Sequence, residues 1–380
     1  METSDNAMTE SFTYPHEPTR FEAKNIDDLL VYCHRISASD ITIQTGEPVT
    51  VEVFGRIHKI TKRKLTNTET GDLLNAMYGP NGTTQIMRGN DLDTHYEVRP
   101  SRSERFRYRV NGVGCYVEGH EGIQITIRTI PSTPPSLASL NLPQPIIDAM
   151  APQEGVVYIT GATGSGKSTL LASIIKTLAE EKTSNRKILT YESPIEFVYD
   201  NVVMPTSIVA QSEIPKHLPT FAAGVRNALR RKPHLILVGE ARDPETISAV
   251  IEAALTGHPV YTTLHTNGVA ETIRRLVGSF PQEERLGRTI DIIETLRLIV
   301  WQRLVPTIDG KRVALREYLV FSESLRDRLL DSDPENITQT SRMLLQEYGQ
   351  PMLTDVEAKY KEGLLSDRWY QILTARLRNE

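Results

Sequence analysis

Residues 155–168 read GVVYITGATGSGKS, an apolar run that leads directly into a glycine-rich loop. The first six residues are typical of a buried strand, and residues 161–168 fit the pattern G-x-x-x-x-G-K-[ST]. Apolar residues at positions 171, 174, 175 and 178 then follow with the spacing of an amphipathic helix. Strand, loop and helix in this order are the context in which the pattern binds a triphosphate.

Each part of this loop predicts a contact with phosphate. Glycines let backbone amides point inward, and a helix that begins near Lys167 adds the positive end of its dipole. We predict that Lys167 reaches the β- and γ-phosphates and that the Ser168 hydroxyl coordinates Mg²⁺. The predicted nucleotide-binding residues are Gly161, Thr163, Gly164, Ser165, Gly166, Lys167, Ser168 and Thr169.

Beyond the loop the chain alternates between strands and helices. Strand-like runs at 187–192, 235–238 and 260–264 are separated by helical stretches such as 246–255. This alternation predicts an α/β domain, in which helices cover both faces of a parallel sheet. From residue 321 onward the chain is charged and helix-forming.

The region before the loop predicts a different kind of domain. A helix-like segment at 21–36 is followed by strands with an apolar period of two, which indicates an α+β domain whose sheet has one buried face. Asn111-Gly112 is predicted to interrupt one of these strands. The predicted divisions are a flexible leader (1–20), an N-terminal domain (21–130), a proline-rich linker (131–145), a nucleotide-binding α/β domain (146–320) and a helical C-terminal segment (321–380).

Two predicted strands end in acidic residues. Glu240 follows the 235–238 run, and a carboxylate at the C-terminal end of a central strand faces the crevice where α/β sheets bind ligands. It either orients the attacking water or helps to hold magnesium, and we favour the water. Glu192 ends another strand and is predicted to lie nearby, whereas Glu196 is equally compatible with simple exposure. Asp243 precedes Pro244, a pattern that predicts a helix N-cap.

Two histidines flank the 259–264 strand. An extended strand of this length separates them by about 20 Å, which excludes a shared metal ion. His265, at the C-terminal end, is predicted to sense the γ-phosphate. His258, at the opposite end, is predicted to be structural or to lie at an interface.

The N-terminal domain supplies arginines. Arg107 and Arg109 share a face of one predicted strand, and Arg128 lies on another. An arginine on a half-exposed sheet is usually solvated, but it would stabilise transition-state charge if the domain packed over the nucleotide. Arg226 and Arg230, on a predicted helix, are further candidates.

Composition narrows the class of protein. The net charge is −5 over 380 residues, so no overall basic field attracts nucleic acid. Two cysteines cannot form a disulfide scaffold, no apolar run approaches the ~18 residues of a membrane span, and residues 1–18 lack the core of a signal peptide. We expect a cytoplasmic protein.

Four motifs carry a family resemblance. GATGSGKST (161–169) is similar to a Walker A motif, YESPIEF (191–197) to an Asp box, LILVGEARDPET (235–246) to an atypical Walker B motif and TGHPVYTTLHTN (256–267) to a His box. In this order they resemble the secretion and type IV pilus motor ATPases, the superfamily that contains the PilT retraction motor. SDITIQTGEP (39–48), RYRVN (107–111) and RTIP (128–131) match it as well.

The resemblance implies a PAS-like N-terminal domain and a RecA-like ATPase domain, assembled as a homohexamer that binds ATP and Mg²⁺ between the two domains. It implies that Glu240 is the catalytic glutamate. Supporting roles in catalysis are implied for Glu192, Lys167, His265, Arg109 and Arg128.

Two departures from the family pattern refine this hypothesis. Ser193 stands where the Asp box has its aspartate, and the AIRAGVG motif of pilus retraction motors is missing from 317–380. The chain therefore looks like the DotB and TraJ branch, which implies a peripheral ATPase that works with inner-membrane components of a type IVB secretion or conjugation complex. A pilus retraction motor, a RecA-like DNA helicase and a small-molecule kinase remain as alternatives, while the lack of an N-K-x-D motif argues against a GTPase.

Overall fold

The first of two structural units, residues 1–132, is built on a six-stranded antiparallel sheet in the computed structural model, which describes residues 12–53, 55–101, 104–130 and 133–379. Its strands are β1 (Asp40–Gln44), β2 (Thr50–Val53), β3 (Arg56–Lys59), β4 (Leu92–Val98), β5 (Phe106–Val117) and β6 (His120–Ile130). They lie in the order β3-β2-β1-β6-β5-β4. Helices α1 (Ile26–Arg35), α2 (Asn67–Tyr78) and α3 (Gly82–Met87) share one apolar core with this sheet.

Two details of this unit differ from the sequence prediction. Strand β5 runs straight through Asn111 and Gly112, because both residues pair with β4 on one side and with β6 on the other. Helix α2 packs closely here, since a Cβ on Gly112 would lie 3.0 Å from Leu74 Cδ1. The predicted leader lies outside the described residues up to position 11. From Phe12 onward the chain packs against the unit: Tyr14 is buried and its amide donates to the Ile60 carbonyl.

The second unit, residues 133–380, carries the predicted parallel sheet. Its strands are β7 (Gly155–Thr160), β8 (Lys187–Glu192), β9 (Ile208–Glu213), β10 (Leu235–Val238), β11 (Pro259–Leu264), β12 (Leu296–Pro306) and β13 (Arg312–Val320). They lie in the order β13-β12-β7-β11-β10-β8-β9, and β13 alone pairs antiparallel with its neighbour.

Helices cover both faces of this sheet. They are α4 (Gln144–Ala149), α5 (Lys167–Glu180), α6 (Phe221–Leu229), α7 (Pro244–Leu255), α8 (Val269–Gly278) and α9 (Arg285–Thr295). Val156 and Tyr158 belong to one buried cluster and Val157 and Ile159 to another, since alternate residues of a strand face opposite sides. This confirms the predicted α/β class.

The C-terminal segment is helical, as predicted. It contains α10 (Glu323–Leu330), α11 (Ile337–Tyr348), α12 (Met352–Lys361) and α13 (Asp367–Asn379).

The sequence analysis did not identify three strands of the second sheet, β9, β12 and β13. Within the described residues, no helix is both long and apolar enough to cross a membrane.

Candidate functional site

The glycine-rich loop lies between β7 and α5, as the sequence predicts. Gly161, Gly164 and Gly166 adopt φ values of 141°, 75° and 85°, a region that residues with a Cβ rarely occupy. Gly166 is the N-cap of α5, so no capping side chain blocks the first helical amides. Ser165 Oγ is buried and has no hydrogen-bond partner among the described residues. The first-turn amides of α5, the positive end of its dipole and the unsatisfied hydroxyl of Ser165 together fit a phosphate group.

Lys167 lies at the start of α5 with its side chain largely buried. Its Nζ donates to the carbonyl oxygens of Gly161 (2.9 Å) and Ala162 (2.8 Å), which places the ammonium on the loop itself. Burial lowers the pKa of Lys167, while the carboxylates of Glu240 and Glu196 oppose this shift. The carboxylates of Glu240 and Glu196 therefore stabilise the cationic form of Lys167.

Glu240 follows β10 at the C-terminal edge of the sheet. Its carboxylate is partly buried and lies 3.5 Å from His265 Nε2 and 3.8 Å from a guanidinium nitrogen of Arg242. The adjacent Gly239 carbonyl accepts a 2.6 Å hydrogen bond from Thr263 Oγ1, which ties this strand end to β11. Glu240 and His265 thus meet at the edge where the sequence placed both of them.

Glu192 ends β8, the strand that pairs with β10 in parallel register. Thr190 Oγ1 (2.6 Å) and Gln211 Nε2 (3.0 Å) both donate to its Oε1. Gln211 belongs to β9, the edge strand that the sequence analysis missed. The orientation of Glu192 therefore depends on its own strand, through Thr190, and on the neighbouring β9, through Gln211.

One cleft of about 200 Å³ brings most of the predicted site residues together. The predicted residues that line it are Thr163, Gly164, Lys167, Ser168, Glu192, Glu196, Glu240 and His265. Leu171, Phe197, Tyr199 and Phe221 add an apolar wall. Gly161, Ser165, Gly166 and Thr169 belong to the same loop and helix but do not line the cleft itself.

Other sequence candidates in this unit lie apart from the cleft. His258 stands at the opposite end of β11, where its Nδ1 lies 3.2 Å from Ala253 O and from Thr256 Oγ1. Arg226 on α6 forms a 2.8 Å ion pair with Glu245, and Arg230 caps the end of the same helix. Asp243 is the N-cap of α7 and accepts from the Thr246 amide, as predicted.

Arg109 and Arg128 belong to the first unit, where they are direct register partners across β5 and β6. Each faces an aspartate: Arg109 bonds Asp93 (2.6 Å) and Arg128 bonds Asp40 (2.9 Å). Both guanidinium groups remain substantially exposed. Arg107, which the sequence places on the same face as Arg109, is instead buried.

Sequence reasoning missed the residues behind the loop. Gln302 Nε2 donates a 2.7 Å hydrogen bond to the Ser165 carbonyl, and Arg316 Nε donates to Gln302 Oε1 at 2.9 Å. The sequence feature that could have indicated them is a glutamine, Gln302, inside the largely apolar run LRLIVWQRLV (296–305). A glutamine buried in such a strand needs hydrogen-bond partners, which points to a structural contact.

The fold and the cleft define a class of protein. A parallel α/β sheet that presents a phosphate-type loop, its lysine and strand-end glutamates to one cleft is the arrangement of a P-loop ATPase. The family described as "Type II/IV secretion system protein" matches residues 93–351, and the chain belongs to this family. It is an ATP-hydrolysing enzyme of the secretion and pilus motor class, which confirms the resemblance inferred from its motifs.

Curated relatives support this assignment over most of the chain. The chain is 33% identical over 320 residues to a protein named "Twitching motility protein" from Neisseria gonorrhoeae, covering 83% of the chain and 81% of that protein. It is also 33% identical over 303 residues to the type IV pilus retraction ATPase PilT of Pseudomonas aeruginosa, covering 80% and 84%.

Solved structures agree with the fold. The Legionella pneumophila ATPase DotB is 64% identical, with a TM-score of 0.87 over 95% of this chain and 98% of that one. The Yersinia pseudotuberculosis ATPase DotB is 35% identical, with a TM-score of 0.85 over 96% of both chains. The retraction motor PilT with bound ADP is 32% identical, with a TM-score of 0.77 over 90% of this chain and 95% of that one. These neighbours confirm the RecA-like fold with its N-terminal and C-terminal parts.

Proposed function

We propose that this chain hydrolyses ATP at the cleft between its glycine-rich loop and Glu240 to power a type IVB secretion or conjugation machine. The observation that carries the proposal is the convergence of Lys167, Glu192, Glu240 and His265 on one cleft. The 64% identity with the Legionella DotB ATPase over 95% of the chain favours this branch over a pilus retraction motor, to which the identity is 32%.

The loop and α5 bind the triphosphate in this proposal. Amides of the loop and of the first turn of α5, together with the positive end of its dipole, hold the phosphates, and Lys167 moves its ammonium from the loop carbonyls to the β- and γ-phosphate oxygens. Magnesium fits here through Ser168 Oγ together with the phosphates, since Mg²⁺ is usually bound through few protein ligands plus phosphate oxygens. When bound, the ion neutralises phosphate charge.

The strand-end carboxylates perform the hydrolytic step. Glu240 accepts a hydrogen bond from the attacking water, orients it toward the γ-phosphorus and takes up its proton. A P–O bond forms to this water while the P–O bond to ADP breaks. His265 beside Glu240 senses the γ-phosphate, and Glu192 supports the water or the metal. In this proposal Arg109 and Arg128 supply positive charge to the transition state.

Assembly and location complete the proposal. We propose a homohexamer, recruited peripherally from the cytoplasm to inner-membrane components of the secretion complex. Nucleic acid is not a partner in this proposal, because the net charge is −5 and a helicase requires a basic track.

The test combines hydrolysis and particle size. ATP turnover and mass from light scattering are measured across protein concentration, with and without ATP and with added DNA. We expect the rate per chain to rise as particles reach six subunits and to be unchanged by DNA. A concentration-independent rate in a monomer would contradict the motor proposal, and DNA stimulation would favour the helicase.

Lys167→Ala tests the site itself. Loss of the main side-chain charge on the phosphates should lower hydrolysis by at least about 100-fold. Lys176→Ala is the matched control, because Lys176 lies on the same helix and pairs only with the partly exposed Glu180 at 3.3 Å in the described contacts. Full activity in Lys167→Ala would remove the loop from the mechanism.

A further inference from the structure

Two buried polar side chains that do not line the cleft support the phosphate loop, one directly and the other through the first. Gln302 on β12 and Arg316 on β13 are direct register partners, and they are only 3% and 4% exposed. A buried amide and a buried guanidinium are costly unless their hydrogen-bonding groups are satisfied. Their partners therefore show what this pair holds in place.

Gln302 holds the loop. Its Nε2 donates to the Ser165 carbonyl at 2.7 Å, and its Oε1 accepts from Arg316 Nε at 2.9 Å. Because a guanidinium can only donate and a carbonyl can only accept, these two contacts fix the orientation of the amide. A Cβ on Gly166 would lie 2.8 Å from Gln302 Nε2, and one on Gly161 would clash with the Gln302 carbonyl oxygen. Gln302 therefore packs directly against the loop at Gly161 and at Gly166.

Arg316 extends the contact to two other parts of the unit. Its guanidinium donates to the carbonyls of Leu140 (3.0 Å) and Asn141 (3.4 Å), which belong to the segment that follows the first unit. Its backbone amide donates to the Asp355 carboxylate on α12 at 2.8 Å. Burial lowers the pKa of Arg316 to about 10, against the opposing charge of Asp355, so the side chain stays cationic at neutral pH.

We propose that Gln302 and Arg316 are positioning residues that couple the phosphate loop to residues 133–143, the segment leading in from the first unit. Nucleotide binding at the loop stabilises the Ser165–Gln302–Arg316 hydrogen bonds and so orders the backbone at Leu140 and Asn141. This coupling is reciprocal. The factor by which bound nucleotide favours the ordered segment equals the factor by which ordering of the segment raises nucleotide affinity, so tension that disorders the segment weakens nucleotide binding. The inference rests on the proposed function, because it requires ATP to bind at the loop.

Hydrogen exchange of the full chain tests the coupling. Exchange at the amides of residues 136–142 is measured with and without a non-hydrolysable ATP analogue at saturation. In the unmodified protein we expect the analogue to slow this exchange about fivefold or more, within the usual range of coupling. Gln302→Met and Arg316→Met should lose that slowing while the loop itself is still protected, and nucleotide affinity should fall about tenfold.

Matched controls carry the same substitutions at exposed sites. Gln346→Met and Arg312→Met replace side chains on the surface of α11 and at the start of β13, and both should behave like the unmodified protein. Gln302→Glu covers the case in which Gln302→Met fails to fold. Its carboxylate keeps the bond to Arg316 but turns an acceptor toward the Ser165 carbonyl, so affinity should fall while the fold is retained.

Two outcomes overturn the inference. In the first, the ATP analogue does not change amide exchange at residues 136–142 of the unmodified protein. In the second, the analogue slows this exchange equally well in the variants at positions 302 and 316. Failure of the proposed function gives a different result. In that case the unmodified protein shows no nucleotide-dependent protection at the loop, and Lys167→Ala turns over ATP as fast as the unmodified chain.

Discussion

Glu240 and Lys167 illustrate how single residues acquire their roles from position. The lysine is buried in the loop, and burial lowers its pKa while Glu240 and Glu196 act to raise it. A carboxylate in this place therefore stabilises the lysine as a cation in addition to any role toward water. Removing the Glu240 charge tests both functions, because the role toward water is read from turnover and the support of Lys167 from nucleotide affinity.

Glu240→Gln keeps the shape of the side chain but removes the charge that orients and polarises water. We expect kcat to fall by about 100-fold or more while ATP affinity changes little, because general-base contributions are of this order. Turnover and nucleotide binding are measured separately. Glu245→Gln is the control, since Glu245 is exposed and pairs with Arg226. A loss of ATP binding in Glu240→Gln would assign Glu240 to the metal or to structure.

Arg109 and Arg128 form exposed ion pairs with Asp93 and Asp40, and such pairs contribute about 0–1 kcal/mol to stability. Arg109→Ala and Arg128→Ala should therefore fold normally. If these arginines contact transition-state charge, kcat should fall more than ATP affinity. Arg56→Ala, on the exposed β3, is the control. Unchanged kinetics in both variants would leave the two arginines as solvated surface residues.

At the scale of elements, charged side chains fasten helices to their neighbours. Glu69 on α2 forms a capping box with Thr66, accepts the Phe21 amide at 2.7 Å and pairs with Arg63. Glu317 on β13 accepts from the first amides of α8 and α12, at Val269 (2.8 Å) and Met352 (3.3 Å). An anion at a helix N-terminus is favourable, so each carboxylate stabilises the element that it meets.

Glu69 makes the first unit sensitive to acid. Burial alone would raise its pKa, but the bonds from Arg63, Thr66 and Phe21 hold it at about 2. Because the folded-state pKa lies below the unfolded value, this stability is full above about pH 4.5 and is lost as pH falls toward 2, by about 3 kcal/mol in all. Urea unfolding at about pH 6 and about pH 3 measures roughly 2 kcal/mol of this loss, because the carboxyl of the folded protein is still mostly ionised at the lower pH.

Glu69→Gln should be less stable than the unmodified chain near neutral pH, and the difference should shrink in acid. Glu47→Gln is the control, because Glu47 forms only an exposed 3.4 Å pair with Lys59 in the described contacts. A stability difference that is independent of pH would contradict the lowered pKa of Glu69.

At the scale of the whole molecule, the C-terminal helices are part of the ATPase core. Leu325 and Leu329 on α10, and Ile337, Leu344 and Leu345 on α11, are buried in the same cluster as strands β7 and β10. The predicted boundary near residue 320 therefore marks a change in composition within a single structural unit, residues 133–380.

Truncation after Val320 should give an insoluble or unfolded protein. It removes these five buried side chains and uncovers the core that they pack against; each contributes about 1.5–3 kcal/mol, and the sum is comparable with the ~5–15 kcal/mol stability of a typical protein. Truncation after Ser366 is the control, because it removes only α13 and keeps all five. Solubility and circular dichroism report the outcome. A folded, ATP-hydrolysing 1–320 fragment would show that α10 and α11 are dispensable.

Local sequence determined the loop, α5 and the strand ends that carry Glu192, Glu240 and His265. These features follow from short-range chemistry: glycines permit positive φ, apolar runs form buried strands, and parallel strands bring their C-terminal ends to one edge. Asp243 as a helix cap is a prediction of the same kind, and the structure confirms it.

Tertiary structure alone decided which distant residues support that edge. Gln211, Gln302 and Arg316 act through hydrogen bonds to partners that lie far away in the chain, from 14 residues for Gln302 and Arg316 to 176 for Arg316 and Leu140. No periodicity encodes such pairings, because they depend on which strands become neighbours once the sheet has formed. The same reason explains Asn111-Gly112, a turn-like pair that lies inside a strand because β4 and β6 pair with it from both sides.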